Sequence, residues 1–255
     1  MTALRPWEET TVVGRRQPRI DGYERVSGSA VYAIDVTLPD MLHAAILRCP
    51  HAHALVKKVD TARAAAMPGV RAVLTAESPG ADIPWYFSRG GAHGRLFDRH
   101  CRHQGEEVAA VAADTLEHAR AALRAVAVEY EELPFVLDAA AALAPGAPRL
   151  HEGGNRLREP SVYERGDLAR GFAEADVVLE QTYTTPCEIH APTEVHGSVA
   201  RWEGDRLTVW DSTQGVFSRQ EDLARILGLP RSKVRVICPY MGGGFGGKLD
   251  TGKYT

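Results

Sequence analysis

The sequence predicts a mixed α/β chain of the α+β class, arranged as two units. Three observations carry that expectation. Short β-branched runs alternate with capped helical segments across residues 20–135, as in one packed unit of sheet and helix. A low-complexity stretch, residues 136–160, interrupts the alternation. A second series of strand and helix signals then ends in a glycine-rich turn at residues 241–248.

Residues 1–18 are polar, contain Pro6 and Pro18, show no period, and are expected to form an arm. The first unit, residues 19–135, opens with strand patterns at 30–36, 42–48 and 55–59. Asp60-Thr61 starts a short helix at 62–67, which Pro68-Gly69 closes. Residues 70–75 read as a strand. Residues 79–104 are rich in Gly, Arg and His (Arg89, His93, Arg95, Arg99, His100, Arg102, His103). They are expected as a solvated loop, with a surface that docks an acidic partner as the alternative. Residues 107–113 form an apolar strand of small side chains. Asp114-Thr115-Leu116-Glu117 reads as a capping box for a helix running to about Ala125. A strand at 126–131 is stopped by Pro134.

Residues 136–160 are expected as a linker over the surface. In the second unit, residues 161–255, strand patterns fall at 177–184 and 194–202. A Gly204-Asp205 turn leads into a hairpin partner at 206–210. Ser218-Arg219-Gln220-Glu221 reads as a second capping box, and Gly228-Leu229-Pro230 supplies the stop signals. The strand at 233–238 delivers the chain into the glycine turn. The sequence shows no internal repeat.

With 255 residues, 44% hydrophobic and 25% charged, the chain can bury a sizeable core without disulfides or metals. A net charge of −3 argues against nucleic acid as a general partner. Cys49, Cys101, Cys187 and Cys238 are far apart and include no C-x-x-C pair. That spacing suits neither a zinc site nor an iron–sulfur cluster, and it points to reduced structural thiols in the cytoplasm. The first ten residues carry acids where a signal peptide needs an apolar segment, and no apolar run is long enough to span a membrane.

The turn Met241-Gly242-Gly243-Gly244-Phe245-Gly246-Gly247-Lys248 carries the chemistry. Glycine cannot add to a core and loses the most conformational entropy on folding, so such a run indicates bare backbone approaching a ligand. Amide N–H groups in a concave turn favour an anionic group. Gly242, Gly244 and Gly247 fit the G-x-G-x-x-G dinucleotide fingerprint, which also needs an acidic residue on a second strand farther along. Gly242 to Lys248 also fits G-x-x-x-x-G-K, but Leu249 stands where a phosphate-binding loop needs Ser or Thr. A flexible glycine turn without a ligand is the alternative, against which a buried Phe245 inside the turn is expected to imply packing. His190, Glu194 and His196 would share one face of a strand and form the best local metal candidates, against ordinary polar groups near an interface or active site. Gln214, at a strand end, offers one acceptor and two donors and can orient a ligand at the turn if the two strands are neighbours. A surface glutamine is the alternative.

Taken together, the segments resemble the large, molybdopterin-binding subunit of the xanthine dehydrogenase/aldehyde oxidase family of molybdenum hydroxylases. Val26-Ser27-Gly28-Ser29-Ala30-Val31-Tyr32-Ala33-Ile34-Asp35 is similar to the opening of that family's hammerhead domain. Leu42-His43-Ala44, Arg48-Cys49-Pro50-His51-Ala52-His53-Ala54, Gly69-Val70-Arg71-Ala72-Val73-Leu74-Thr75 and Gly105-Glu106-Glu107-Val108-Ala109 continue it. Val128-Glu129-Tyr130-Glu131-Glu132-Leu133-Pro134 resembles its end. His190-Ala191-Pro192-Thr193-Glu194-Val195-His196-Gly197, Ser212-Thr213-Gln214 and the glycine turn resemble motifs of the molybdopterin domain.

The resemblance implies hydroxylation of an aldehyde, an N-heteroaromatic or a related aromatic substrate, with water as the oxygen source. It implies a molybdenum–molybdopterin cofactor, which in some relatives carries a cytosine dinucleotide, and [2Fe–2S] clusters and FAD on partner chains. Gln214 would hydrogen-bond a ligand of the metal, and Gly243, Gly244, Phe245, Gly246 and Gly247 would hold the cofactor; no side chain would ligate the metal directly. Leu249 replaces a glutamate of purine-oxidising relatives, which argues against xanthine. The family's general base lies beyond the matching motifs, so the chain is expected to be a fragment or split subunit that needs the rest of the large subunit. A non-catalytic assembly module and a nicotinamide-dependent dehydrogenase are the alternatives.

Overall fold

The computed structural model describes residues 10–88, 91–156 and 158–255. In chain order, α1 (Gly22–Ser27) precedes β1 (His43–Arg48), β2 (Ala54–Asp60), α2 (Ala62–Ala65) and β3 (Val70–Thr75). A hairpin of β4 (Pro84–Ser88) and β5 (Gly91–Arg95) leads to the short β6 (His100–Cys101), then to β7 (Glu107–Ala113), α3 (Leu116–Leu123) and β8 (Ala127–Glu132). The remaining elements are α4 (Ala139–Leu143), α5 (Leu168–Ala173), β9 (Ser198–Glu203), β10 (Arg206–Asp211), α6 (Val216–Ile226) and β11 (Val234–Ile237).

The first unit holds two three-stranded antiparallel sheets beside the β4-β5 hairpin. One has the order β1-β7-β3, with His43 opposite Ala113 and Thr75 opposite Ala109. α3 lies against it, and Ala64, Val111 and Ala122 close one core. Alanines on both surfaces let helix and sheet approach closely, which is why this strand can be so poor in large side chains. The other sheet, β6-β2-β8, packs around Cys49, Ala54, Val56, Cys101 and Val108. Gly69 makes the turn into β3 at φ +78°, and a Cβ there would collide with the Asp114 carboxylate.

The second unit is the sheet β9-β10-β11. β9 and β10 form an antiparallel hairpin, whereas β10 and β11 run parallel and are joined through α6. Leu223 and Ala224 of α6 pack on Leu207, Val209 and Val234. Polar contacts tie the units together. Trp85 Nε1 donates to the Thr251 carbonyl at 3.0 Å, Lys253 lies 3.4 Å from Glu107, and Arg25 Nη1 donates to the Met241 carbonyl at 3.2 Å. No helix among the described residues is long and apolar enough to cross a membrane.

Several local expectations are corrected. The strand at 30–36 is instead a 3-10 turn, Ala33–Asp35, because the Asp35 carboxylate accepts from the Tyr32 amide at 2.9 Å and curls the chain. The loop at 79–104 contains β4, β5 and β6, and its cations are already matched: Arg95 with Asp82, Arg99 with Glu77 at 2.6 Å, Arg102 with Asp98 at 2.9 Å. An acidic partner would therefore meet little free positive charge there; Arg89 and the His93 side chain lie outside the described residues. The α3 cap is Thr115, accepting from the His118 amide at 3.1 Å, one residue later than the capping-box reading. α6 starts three residues before Arg219, with Gly215 as its cap, so Ser218 lies inside the first turn. The linker holds α4 and a turn tied by Asn155, which bonds to Ala142, Pro148 and Leu150. Among the described residues, 177–184 has no ladder partner.

Candidate functional site

The parallel pairing of β10 and β11, Leu207 opposite Val234 through Trp210 opposite Ile237, puts two strand ends side by side. Ligands in α/β sheets characteristically bind outside such carboxyl ends. Residues 211–214 leave one end and residues 238–248 leave the other, so Gln214 and the glycine turn meet.

Gln214 Oε1 accepts from the Gly246 amide at 2.9 Å and from the Lys248 amide at 3.2 Å. The Gln214 amide donates to the Lys248 carbonyl at 3.0 Å. With Oε1 fixed by two donors, the side-chain amide is oriented and Nε2 points away, with no partner among the described residues. The glycines are required for this approach. A Cβ on Gly244 would lie 2.5 Å from Gln214 Oε1, and one on Gly242 would lie 2.6 Å from Glu194 Cβ. A Cβ on Gly247 would meet the His190 ring at 3.0 Å, and Gly243 has φ +106°.

Within the turn the Gly247 amide donates to the Gly244 carbonyl at 2.8 Å, and Gly242 donates to Glu194 Oε2 at 2.7 Å. The amides engaged in this way belong to the turn itself. Those of Gly243, Gly244 and Phe245 have no partner among the described residues, and Phe245, at φ 52°, is 73% exposed rather than buried as the sequence suggests, because the left-handed backbone turns its ring outward. The turn thus carries three unpartnered amides close to Gln214, on a half-buried Gly243, a buried Gly244 and an exposed Phe245.

Two ion pairs form the buried base, and the sequence reading missed both as pairs. Lys248 is 0% exposed and places Nζ 2.9 Å from Oε2 of Glu194, itself 6% exposed, while also donating to the Glu194 carbonyl at 2.9 Å. Ser212 Oγ donates to the same Oε2 at 2.7 Å. Burial works to raise the Glu194 pKa, but the Gly242 amide, Lys248 and Ser212 outweigh it and hold the carboxyl below its ordinary range. Behind this, Arg219 Nε lies 2.6 Å from Asp211 Oδ2, both fully buried. Burial raises the Asp211 carboxyl despite Arg219. Arg219 sits four residues before the buried Leu223, a helical spacing that marks an inward-facing cation in the sequence. Nothing comparable marks Lys248 and Glu194, which are far apart in the chain.

His190, Glu194 and His196 do not form a ligand set. Ala191, at φ 38°, breaks the strand that would align them. Glu194 is held by Lys248, and His196 Nδ1 pairs with the Tyr254 hydroxyl at 2.7 Å. Among the described residues no group of three or more His, Cys, Asp or Glu is placed to hold a metal ion. The dinucleotide fingerprint also loses its context, because residues 245–250 form turns and bends where the fingerprint's glycines open a helix.

Unpartnered amides on a glycine turn at parallel strand ends suit an anionic ligand. Residues 27–134 match the α/β hammerhead domain of aldehyde oxidase and xanthine dehydrogenase, and residues 150–255 match a molybdopterin cofactor-binding domain. The chain is 39% identical over 235 residues to a probable xanthine dehydrogenase subunit of Bacillus subtilis, covering 90% of this chain and 31% of that protein. It is 36% identical to the nicotinate dehydrogenase large molybdopterin subunit of Eubacterium barkeri, covering 94% of this chain and 56% of that protein. Among solved structures, CO dehydrogenase of Oligotropha carboxidovorans superposes with a TM-score of 0.82 at 32% identity, over 94% of this chain and 32% of that one. Quinoline 2-oxidoreductase of Pseudomonas putida 86 gives 0.79 at 32% identity, over 90% and 30%. The chain belongs to the xanthine dehydrogenase/aldehyde oxidase family of molybdopterin oxidoreductases, and it spans from about a third to just over half of these relatives' length.

Proposed function

We propose that the chain is the N-terminal part of a molybdenum hydroxylase large subunit, its two units (residues 19–135 and 161–255) joined by 136–160. The observation that carries this reading is the meeting of Gln214 with the glycine turn: the free amides of Gly243, Gly244 and Phe245 lie beside a glutamine whose acceptor is fully used. Unpartnered amides, on a turn with no room for a Cβ at Gly244, fit the oxygen- and sulfur-rich face of a molybdopterin group. When bound, that group supplies a two-electron redox centre. Gln214 Nε2 would hold one of its ligands and the turn amides would orient it, while Gly246 and Gly247 act by closing the turn. Water supplies the oxygen, the substrate is an aldehyde, an N-heteroaromatic or a related aromatic, and the electrons leave to iron–sulfur and FAD partner chains. Leu249, exposed beside the turn, offers no acceptor to a purine ring. The buried free thiols of Cys49 and Cys101 suit a reducing cytoplasm.

The test is coexpression with the remainder of the large subunit and the iron–sulfur and flavin chains. Molybdenum is counted by elemental analysis, and dye reduction is followed with benzaldehyde, nicotinate and quinoline. One molybdenum per complex and turnover on one of these compounds are expected. Gln214→Glu keeps the acceptor for Gly246 and Lys248 but loses the Nε2 donor, and turnover should fall by about 100-fold, the scale of one lost charge-stabilising donor. A stable complex that binds no molybdenum would overturn the reading in favour of an assembly module.

A further inference from the structure

The peptide that leads into the glycine turn is held on both edges. Its carbonyl, that of Met241, accepts from Arg25 Nη1 at 3.2 Å, a contact between residues 216 apart in the chain. Its N–H, that of Gly242, donates to Glu194 Oε2 at 2.7 Å. A guanidinium on the oxygen and a carboxylate on the N–H both complement the peptide dipole, and both bonds are charge-assisted. The next peptide is fixed as well, because the Gly242 carbonyl accepts from the Glu194 amide at 3.2 Å. In a trans peptide the N–H points away from the C=O. The Gly243 amide, the first in the turn without a partner among the described residues, is therefore aimed away from the Glu194 main chain.

Arg25 is itself held in place. Its Nε donates to Asp21 Oδ2 at 2.6 Å, one helical turn back, and Nη1 also reaches the Tyr32 hydroxyl at 3.3 Å. The guanidinium carbon lies 5.9 Å from the centre of the Tyr32 ring and 5.5 Å from that of Tyr240, and the two rings are 5.9 Å apart. Tyr240 directly precedes Met241, so the ring and the carbonyl that Arg25 meets belong to adjacent residues. A planar guanidinium donates from Nε and Nη1 while facing aromatic rings, which a lysine ammonium cannot reproduce. None of the residues of α1 is buried, so the helix adds no core of its own; what it delivers is this side chain. We propose that Arg25 is a positioning residue of the candidate site: it fixes the Met241–Gly242 peptide from the edge opposite Glu194 and thereby sets the direction of the free Gly243 amide. The proposal rests on the functional reading above and adds a residue of the first unit to a site carried by the second.

The turn can be read before any turnover. Amide exchange is followed by mass spectrometry in the cofactor-free chain, on peptides covering 19–32, 107–113 and 240–248. Arg25→Met keeps an unbranched stem and loses every donor. In it, exchange at 240–248, where the Gly242, Gly246, Gly247 and Lys248 amides are bonded, should speed at least fivefold while 107–113 is unchanged. Arg25→Lys keeps the charge without the fork and should fall between wild type and Arg25→Met. Arg19→Met, which removes a partner of Asp21 and not of the turn, should leave 240–248 within twofold. In the coexpressed complex, Arg25→Met should lower kcat at least fivefold with KM within twofold. Unchanged exchange at 240–248 would overturn the proposal. Faster exchange confined to 19–32, the signature of a tether for α1 alone, would do the same, as would a raised KM with kcat intact. If Arg25→Met does not fold, full protection of 240–248 in Arg25→Lys would overturn it instead. Faster exchange at the turn, with a wild-type complex that loads no molybdenum, would uphold the positioning role and sink the functional reading; unchanged exchange with one molybdenum per complex would do the reverse.

Discussion

Lys248 and Glu194 are joined at 2.9 Å in a site closed to water, and through them the glycine turn is anchored to the segment before β9. One carboxylate oxygen collects the Lys248 ammonium, the Ser212 hydroxyl and the Gly242 amide. Breaking such a pair leaves a buried charge uncompensated, which typically costs about 3–5 kcal/mol. Lys248→Met is therefore expected to lower the urea midpoint sharply. Glu194→Gln with Lys248→Met should cost less than the sum of the single changes, with a coupling of about 0.5–3 kcal/mol. Additive losses would show that the pair does not act as a unit.

Gly244 and Gln214 are complementary in space. A Cβ at Gly244 would meet Oε1 at 2.5 Å, Cδ at 2.6 Å and Cγ at 2.7 Å, so alanine must evict the glutamine. Gly244→Ala should destabilise by about 1–3 kcal/mol, the range for an overfilled site. Adding Gln214→Ala vacates the space and should recover part of that loss in thermal melts. Turnover of the assembled enzyme should stay low in the double variant, because the Nε2 donor is gone. Recovery of both stability and turnover would remove Gln214 from the site.

Much of this is legible in the residues, and the exceptions have physical causes. The strands at 70–75 and 107–113 have the limits expected from sequence because turn signals bound them on both sides. The approach of Gln214 to the glycine turn is foreseeable only as a condition, since parallel pairing of β10 with β11 is a tertiary fact. Glu194 looks like a metal candidate because sequence shows residue type and spacing, whereas its partner lies 54 residues away. The pattern at 177–184 reads as a strand although no described residue pairs with it, because local propensity says nothing about whether a partner strand is present. Ser218 fails as a cap because Gly215 already starts α6 in an extended conformation.

Two histidines contribute to the first part of the acid decline in stability. Burial lowers the pKa of His196 below 6.5, with Lys248 and Arg219 adding to it; burial and Arg102 do the same to His100. For each group the folded pKa lies below the unfolded one, so between the two values the unfolded chain holds more protons. Their contribution is complete above about pH 6.5 and is lost as the pH falls from there through the folded values. Glu194, also depressed, contributes above its ordinary range near 4.5 and loses that contribution at still lower pH. Raised by burial, Asp211 acts in the opposite sense and blunts the last part of the decline. Urea midpoints are therefore expected to be flat from pH 8 to about 6.5 and to fall below it. In His196→Gln with His100→Gln, the decline between about pH 6.5 and 5 should flatten while the lower step remains. An unchanged slope in that double variant would mean that other groups bind the protons.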